Sequence, residues 1–117
     1  MGLDMGLYSA KRKNDEIAYW RKFNALHQWF VENLEGVDNC EYSPVSKEKL
    51  EELVKTLEEL QTTKNTELLP TQSGFFFGST EYDEWYWGNV DRTISTLKGI
   101  LGDFDFENDQ LLYSANW

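Results

Sequence analysis

The side chains best suited to nucleophilic or acid–base chemistry are one cysteine, Cys40, and one histidine, His27. A nucleophilic cysteine needs a stabilised thiolate, which a histidine, a cation or a helix N-terminus supplies. The surrounding DNCEY segment supplies acids instead, and these disfavour a second negative charge. One cysteine and one histidine also fall short of the roughly four ligands of a structural zinc site. The sequence therefore predicts no thiol nucleophile and no metal centre.

His27 falls on the apolar face of a long helix predicted over residues 16–35. At about 100° per residue, that face collects Ile17, Trp20, Phe23, Leu26, His27, Phe30, Val31 and Leu34. No carboxylate or thiol falls on this face within a turn or two of the imidazole. We expect a core histidine with a hydrogen-bond partner, and a pocket-lining position is the alternative.

The acids of the DFDFENDQ segment (residues 103–110) recur at every second position from 103 to 109. Such a run resembles a calcium-binding loop, but that loop needs Gly at its sixth position and Glu at its twelfth. The sequence has Asn108 and Ser114 there, so the calcium interpretation fails. On a strand, these acids would form either a solvated face or a docking surface for a basic partner.

Asp83 and Glu84 stand among the aromatic residues Tyr82, Trp85 and Tyr86. Two carboxylates between aromatics are found in glycosidase sites, but acids are also common in the first turn of a helix. The helix interpretation is preferred, with a capping box at 80–83. The sequence contains no phosphate-binding loop, nucleophile elbow or dinucleotide fingerprint, and we predict no catalytic residue and no cofactor.

The most unusual segment is LLPTQSGFFFGSTEYDEWYW, residues 68–87. If the three phenylalanines are extended, Phe76 points away from Phe75 and Phe77, so at least one lies in a pocket or on the surface. Trp29 is likewise predicted to lie in a pocket or on the surface, because it projects opposite the apolar face of its predicted helix. Exposed aromatics anchor interfaces and stack on flat ligands. Ordinary core packing remains the alternative.

The candidate binding site combines these aromatics with nearby polar and charged groups, as small-ligand pockets do. Its members are Gln72, Ser73, Phe75, Phe76, Phe77, Tyr82, Asp83, Glu84, Trp85, Trp87, Trp29 and Arg21.

The elements that must position this site follow the order β-α-α-α-β(-β). Leu3, Met5 and Leu7 alternate with polar or small residues, which predicts a half-buried strand. A second helix follows a Ser46 cap and buries Leu50, Leu53, Val54, Leu57 and Leu60. A third helix, ending at Gly102, buries Tyr82, Trp85, Tyr86, Val90, Thr93, Leu97 and Ile100 or Leu101. One or two strands close the chain. The predicted fold is α+β, one globular domain over residues 1–117, with the terminal strands paired against three helices.

The composition is that of a globular chain with an acidic surplus: 117 residues, 15% aromatic, net charge -10. The chain carries no secretory leader and no apolar run long enough to span a membrane, so we expect a cytoplasmic protein. The charge repels nucleic acid and argues against binding it directly. Residues 81–117 carry eight acids and two bases, which suits either solubility or a basic partner.

Several blocks resemble a family of small, uncharacterised acidic proteins encoded by bacteriophages and prophages. The blocks are GLDM at 2–5, AYWRK at 18–22, HQWFVEN at 27–33 and LLPTQSGFFFGSTEYDEWY at 68–86. The chain departs from that family at Gly6, where a bulky tyrosine is expected. The resemblance implies a phage accessory protein acting in a bacterial cytoplasm, and it transfers no functional residue.

Two hypotheses follow for the function. One is an anti-defence inhibitor that docks on a host protein, such as a nuclease, through an acidic-aromatic surface. The other is a protein that binds or sequesters a nucleotide-like ligand, whose phosphates would need Arg21, Lys22, Arg12 or Arg92. An enzyme is the weakest interpretation. Exposed aromatics would equally suit a homodimer interface.

Overall fold

A computed structural model describes residues 2–74 and 78–117. These residues form four strands, three α-helices and one short 3-10 turn at Thr66–Leu68. In chain order the elements are β1 (Asp4–Ser9), β2 (Asp15–Arg21), α1 (Asn24–Asn33), β3 (Tyr42–Val45), α2 (Lys47–Thr63), α3 (Glu84–Asp103) and β4 (Leu111–Asn116). The predicted α+β class is confirmed.

The strands form one antiparallel sheet in the order β2-β1-β4-β3. The predicted pairing of the first and last strands is confirmed, with Met5 opposite Ala115 and Leu7 opposite Tyr113. These four side chains are buried and define the inner face of the sheet. Because side chains alternate along a strand, the residues between them define the opposite, outer face.

The inner face packs against α1 and α3. The indole of Trp20 on β2 donates to Thr93 Oγ1 on α3 at 2.8 Å. The ring of Tyr113 on β4 stacks on Phe30 of α1, with ring centroids 3.9 Å apart. Helix α2 lies alongside α3, where Lys98 pairs with Glu58 at 2.8 Å.

The prediction of one helix over residues 16–35 is wrong in its first half, which is strand β2. Lys13 and Asn14 adopt left-handed φ angles of 56° and 60° and close a hairpin, with the Asn14 amide donating to Ser9 O at 2.8 Å. Asn tolerates this conformation well, so the chain turns here and continues as a strand. Ala18 and Trp20 are then buried while Tyr19 and Arg21 are exposed, a period of two that the helical interpretation obscured.

Two predictions about the first helix fail for the same reason. Helix α1 begins only at Asn24 and ends at Asn33, and it packs against the inner face of the sheet. The side of α1 that is buried is therefore the side that faces the sheet. Trp29 is 8% exposed and packs on Phe30, whereas Val31 is 38% exposed. Trp29 therefore belongs to the core, contrary to its expected outward projection.

The second helix matches its prediction closely. Ser46 caps α2 by accepting from the Lys49 amide at 3.1 Å, and the five predicted apolar residues are all buried. The cap of α3 is shifted, because Asp83 is itself the N-cap and accepts from the Tyr86 amide at 3.1 Å. The predicted capping box at 80–83 is therefore wrong.

Candidate functional site

Asn24 anchors the segment that carries the predicted site. This side chain is 2% exposed. Its Nδ2 donates to Ser79 O at 2.8 Å, and its Oδ1 accepts from the Gln72 amide at 2.8 Å. One buried amide therefore holds both ends of the 72–79 segment against the start of α1. Phe75, Phe76 and Phe77, which are candidate site residues, lie outside the described residues.

A second set of bonds joins the residues just before this segment to the residues at and just before the start of α3. Thr71 Oγ1 donates to Thr80 O at 3.0 Å, and the Thr71 amide donates to the Tyr82 hydroxyl at 3.1 Å. Hydrogen bonds from the Thr71 side chain and amide lower the pKa of Tyr82. The Tyr86 hydroxyl donates to Leu69 O at 2.7 Å, and burial raises the pKa of this phenol. The start of α3 is thus held firmly from two directions.

Residues 81–85 are all exposed. Tyr82 is 41% exposed and Trp85 is 44% exposed, so the prediction that the third helix buries both is wrong. Because α3 begins at Glu84, Tyr82 precedes the helix and Trp85 lies beside its buried arc. Tyr86 and the residues one and two turns onward form that arc, as predicted. We call residues 81–85 the acidic-aromatic segment.

A groove of about 350 Å3 opens beside this segment. It is lined by Arg21, Lys22, Gly78, Ser79 and Trp85. The edge of the Trp85 ring packs on Phe23, with centroids 6.1 Å apart. The described residues contain two ion pairs, and neither involves Arg21 or Lys22. The groove therefore combines an anchored, half-exposed indole with two cations that no carboxylate within 4 Å neutralises.

The geometry of this groove depends on Gly78. Its φ is +90°, and a Cβ there would lie 3.0 Å from Lys22 Cβ and 3.3 Å from Lys22 O. Lys22 itself has a left-handed φ of 57°, and its amide donates to Leu3 O at 2.6 Å. Only glycine lets the two backbones approach this closely.

The structure divides the remaining candidate residues. Asp83 and Glu84 lie at the exposed start of α3, and Gln72 and Ser73 lie at the base of the anchored segment. Trp87 packs under Lys64, whose Nζ is 4.4 Å from the ring centroid, so it faces the end of α2.

Sequence reasoning missed the anchoring residue, Asn24, and the groove residues Gly78 and Ser79. A buried asparagine carries no periodic signal. Its role depends on the distant 72–79 segment folding back onto α1, so a pattern within one helix does not reveal it.

His27 is a core residue with a hydrogen-bond partner, as predicted. It is 2% exposed, and its Nδ1 lies 2.6 Å from the Tyr113 hydroxyl. Burial lowers the pKa of His27 from 6.5 to about 4, so the imidazole is neutral at pH 7. Its ring also lies 4.9 Å from that of Trp117.

Residues 104–109 of the acidic segment form a turn after α3, so of the one or two closing strands predicted, the described chain has one, β4. Phe104 and Phe106 do contact, with ring centroids 4.8 Å apart. Asp109 accepts from the Ser9 hydroxyl and from the Lys11 amide, the latter at 2.8 Å. Desolvation raises the pKa of Asp109, but these hydrogen bonds outweigh it, and the net effect is a lowered pKa. Asp109 thus ties this turn to the β1–β2 hairpin.

Residues 2–74 and 78–117 contain no group of three or more histidine, cysteine or acidic side chains arranged to hold a metal ion. No helix in this described part is long and apolar enough to cross a membrane. Comparison with protein-family models, with curated proteins and with solved structures finds no match to this chain.

Proposed function

We propose that this chain is a binding protein that docks on a host protein through the acidic-aromatic segment. The observation that carries the proposal is the exposure of Tyr82 and Trp85 between three carboxylates, those of Glu81, Asp83 and Glu84. Aromatic side chains that are more than 40% exposed contribute little stabilising burial to the protein's own core. They are the residue types that dominate binding energy when a partner covers them.

The rigidity of this segment also supports an interface. Asp83 caps α3, and the Thr71 amide fixes Tyr82 from the other side. A preformed segment loses little conformational entropy on docking, which favours affinity. The surrounding carboxylates would speed association with a basic surface and select against acidic ones.

The biological role we propose is that of a bacteriophage-encoded accessory protein that inhibits a bacterial defence protein in the host cytoplasm. The ground for it is the resemblance of the LLPTQSGFFFGSTEYDEWY block and three shorter blocks to phage and prophage proteins. An acidic inhibitor suits a target whose own site is basic, such as a nucleic-acid-handling enzyme, because opposite potentials attract.

The test is affinity capture from a bacterial lysate with tagged protein, compared with Trp85→Ala and with Val31→Ala. Val31 is a matched control, since it is 38% exposed on α1. We expect a captured protein whose affinity falls at least about 30-fold with Trp85→Ala and is unchanged with Val31→Ala. Both variants should unfold within about 5 °C of the parent. Equal capture by all three proteins would refute this docking site.

A second candidate function is the binding of a flat, anionic small molecule such as a nucleotide. The observation that favours it is the groove, where Trp85 offers a ring for stacking and Arg21 and Lys22 are available for phosphate oxygens. Base–aromatic stacking is worth about 1–3 kcal/mol.

This candidate is tested by denaturing the purified protein and analysing the released small molecules by mass spectrometry. The variant Arg21→Gln with Lys22→Asn should lose the ligand, and Asn suits the left-handed φ of residue 22. Lys55→Gln, at an exposed site on α2, removes a charge elsewhere and should retain it. Absence of any ligand from all preparations, with no binding of added nucleotides, would contradict this function.

A further inference from the structure

The outer face of the sheet carries a row of tyrosines that no helix of the described chain covers. Along one line across the strands, Tyr19 on β2 neighbours Gly6 on β1, which neighbours Ser114 on β4, which neighbours Tyr42 on β3. Tyr19 is 43% exposed and Tyr42 is 45% exposed. We call Tyr8, Tyr19 and Tyr42 the tyrosine face.

Gly6 lets the middle ring lie flat on the sheet. A Cβ at Gly6 would lie 2.6 Å from the Tyr8 hydroxyl oxygen and 2.8 Å from Tyr8 Cζ. The Tyr8 ring therefore crosses the strand where any other residue would place its side chain. It meets the ring of Tyr42 almost at a right angle, with centroids 5.4 Å apart and planes at 79°. The two rings form an aromatic corner.

Carboxylates flank these rings. The Tyr19 hydroxyl donates to Asp4 Oδ1, and Glu16 is the register partner of Tyr8. Burial, then the charge of Glu16, raises the pKa of Tyr8. Arg21 lies opposite Asp4 across the strands, but no ion pair within 4 Å joins them in the described chain.

We propose that the tyrosine face binds arginine or lysine side chains presented by a basic segment of a partner protein. Aromatic ring faces attract cations through their quadrupole, and the carboxylates of Asp4 and Glu16 add complementary charge. This surface is separate from the acidic-aromatic segment, and the proposal holds whether or not that segment binds a partner.

Nucleic acid fits this face less well, although tyrosines on a sheet can stack on bases. The basic residues of the same hairpin, 11–13, are held beside the acidic 103–109 turn by the bond from the Lys11 amide to Asp109. Carboxylates therefore lie near both the rings and the basic run of the hairpin, and they would repel phosphates.

A second copy of the chain also fits poorly. Each copy carries a net charge of -10, so two copies repel. Charge complementarity therefore favours a different, basic partner.

The test uses fluorescence polarisation with a short, labelled oligoarginine peptide at an ionic strength near 0.15 M, where exposed long-range charges are screened beyond about 8 Å. Tyr42→Phe keeps the ring and should keep the affinity. Tyr42→Leu keeps apolar bulk and total charge but removes the ring, and should weaken binding by about three- to tenfold. Val31→Ala truncates an exposed apolar residue on α1, outside the sheet, and should leave the affinity unchanged. Trp85→Leu reports separately on the acidic-aromatic segment.

Three outcomes would overturn the proposal. The first is equal affinity of Tyr42→Leu and the parent, which would mean binding through total charge alone. The second is loss of affinity with Trp85→Leu only, which would place the site elsewhere. The third is no binding of oligoarginine by the parent, or tighter binding of oligoglutamate or oligothymidylate probes. Circular dichroism confirms that each variant is folded.

Discussion

At the scale of single residues, His27 shows how burial converts a titratable group into a stability determinant. Its pKa in the folded chain is about 4, below the ordinary 6.5, so the folded state binds this proton less readily than the unfolded state. The stabilisation is complete above about pH 6.5 and is lost as the pH falls toward 4. The shift corresponds to roughly 3 kcal/mol.

The prediction is that the free energy of unfolding falls between pH 6.5 and 4 by roughly 3 kcal/mol more in the parent than in His27→Gln. Glutamine is uncharged throughout and can still bond Tyr113. Urea unfolding at a series of pH values measures the difference, which cancels the titration of the carboxylates common to both proteins. Parallel curves for the two proteins would show that His27 is not the titrating group.

Substitution by alanine should have opposite effects on the stability of the fold at Gly78 and at Gly99. At Gly78, with φ +90° and Lys22 Cβ 3.0 Å from the new Cβ, Gly78→Ala should destabilise the fold by about 1–2 kcal/mol. Gly99 lies within α3, where an added Cβ meets nothing within 4 Å, and Gly99→Ala should stabilise by about 0.5–1 kcal/mol. Thermal unfolding gives the sign of the stability change for each variant. A stabilising effect of Gly78→Ala would contradict the close approach of the two backbones.

At the scale of elements, the connection between α1 and the 72–79 segment rests on Asn24. Asn24→Ala removes the donor to Ser79 O and the acceptor for the Gln72 amide. We expect the loss of these two hydrogen bonds to cost about 1–3 kcal/mol in total, together with faster proteolysis within residues 71–80. Limited proteolysis with mass spectrometry locates the cut.

The matched control for this experiment is Asn33→Ala. Asn33 Nδ2 also donates to a backbone carbonyl, that of Trp29, at 2.8 Å, but within its own helix. The Asn33→Ala variant should leave the 71–80 segment as resistant to proteolysis as it is in the parent. Equal sensitivity of both variants would mean that Asn24 does not hold the segment.

Strand β2 is the element where local pattern and tertiary structure disagree. Ile17, Trp20 and Phe23 fit a helical spacing, and Ala18 with Trp20 fits a strand spacing. Pairing with β1 satisfies the backbone of β2, and the indole of Trp20 reaches Thr93 on α3. Neither interaction is encoded within the segment itself, so periodicity alone could not choose between the two.

At the scale of the whole molecule, net charge is the dominant long-range property. With -10 on 117 residues, self-repulsion opposes the compact state. The prediction is that the unfolding temperature rises as NaCl screens this repulsion, and that KCl at the same ionic strength gives the same rise. A flat or falling unfolding temperature over the same NaCl range would contradict net repulsion.

The elements that local patterns predicted correctly are those whose cause lies within a few residues. The Ser46 cap and the Leu50 to Leu60 series specify α2 because capping and helical spacing act within a few residues. The alternation of Leu3, Met5 and Leu7 likewise specified the inner face of β1. The pairing of the terminal strands followed from their matching apolar faces.

Which aromatic side chains are buried depends on tertiary packing. Trp29 is core and Trp85 is exposed, the reverse of the expectation for each, because burial depends on which distant surface packs against a helix and not on the helix alone. The groove at Arg21 and the tyrosine face likewise join residues far apart in the chain. Their proximity comes from sheet register and from one buried amide, Asn24, which hydrophobic periodicity does not encode.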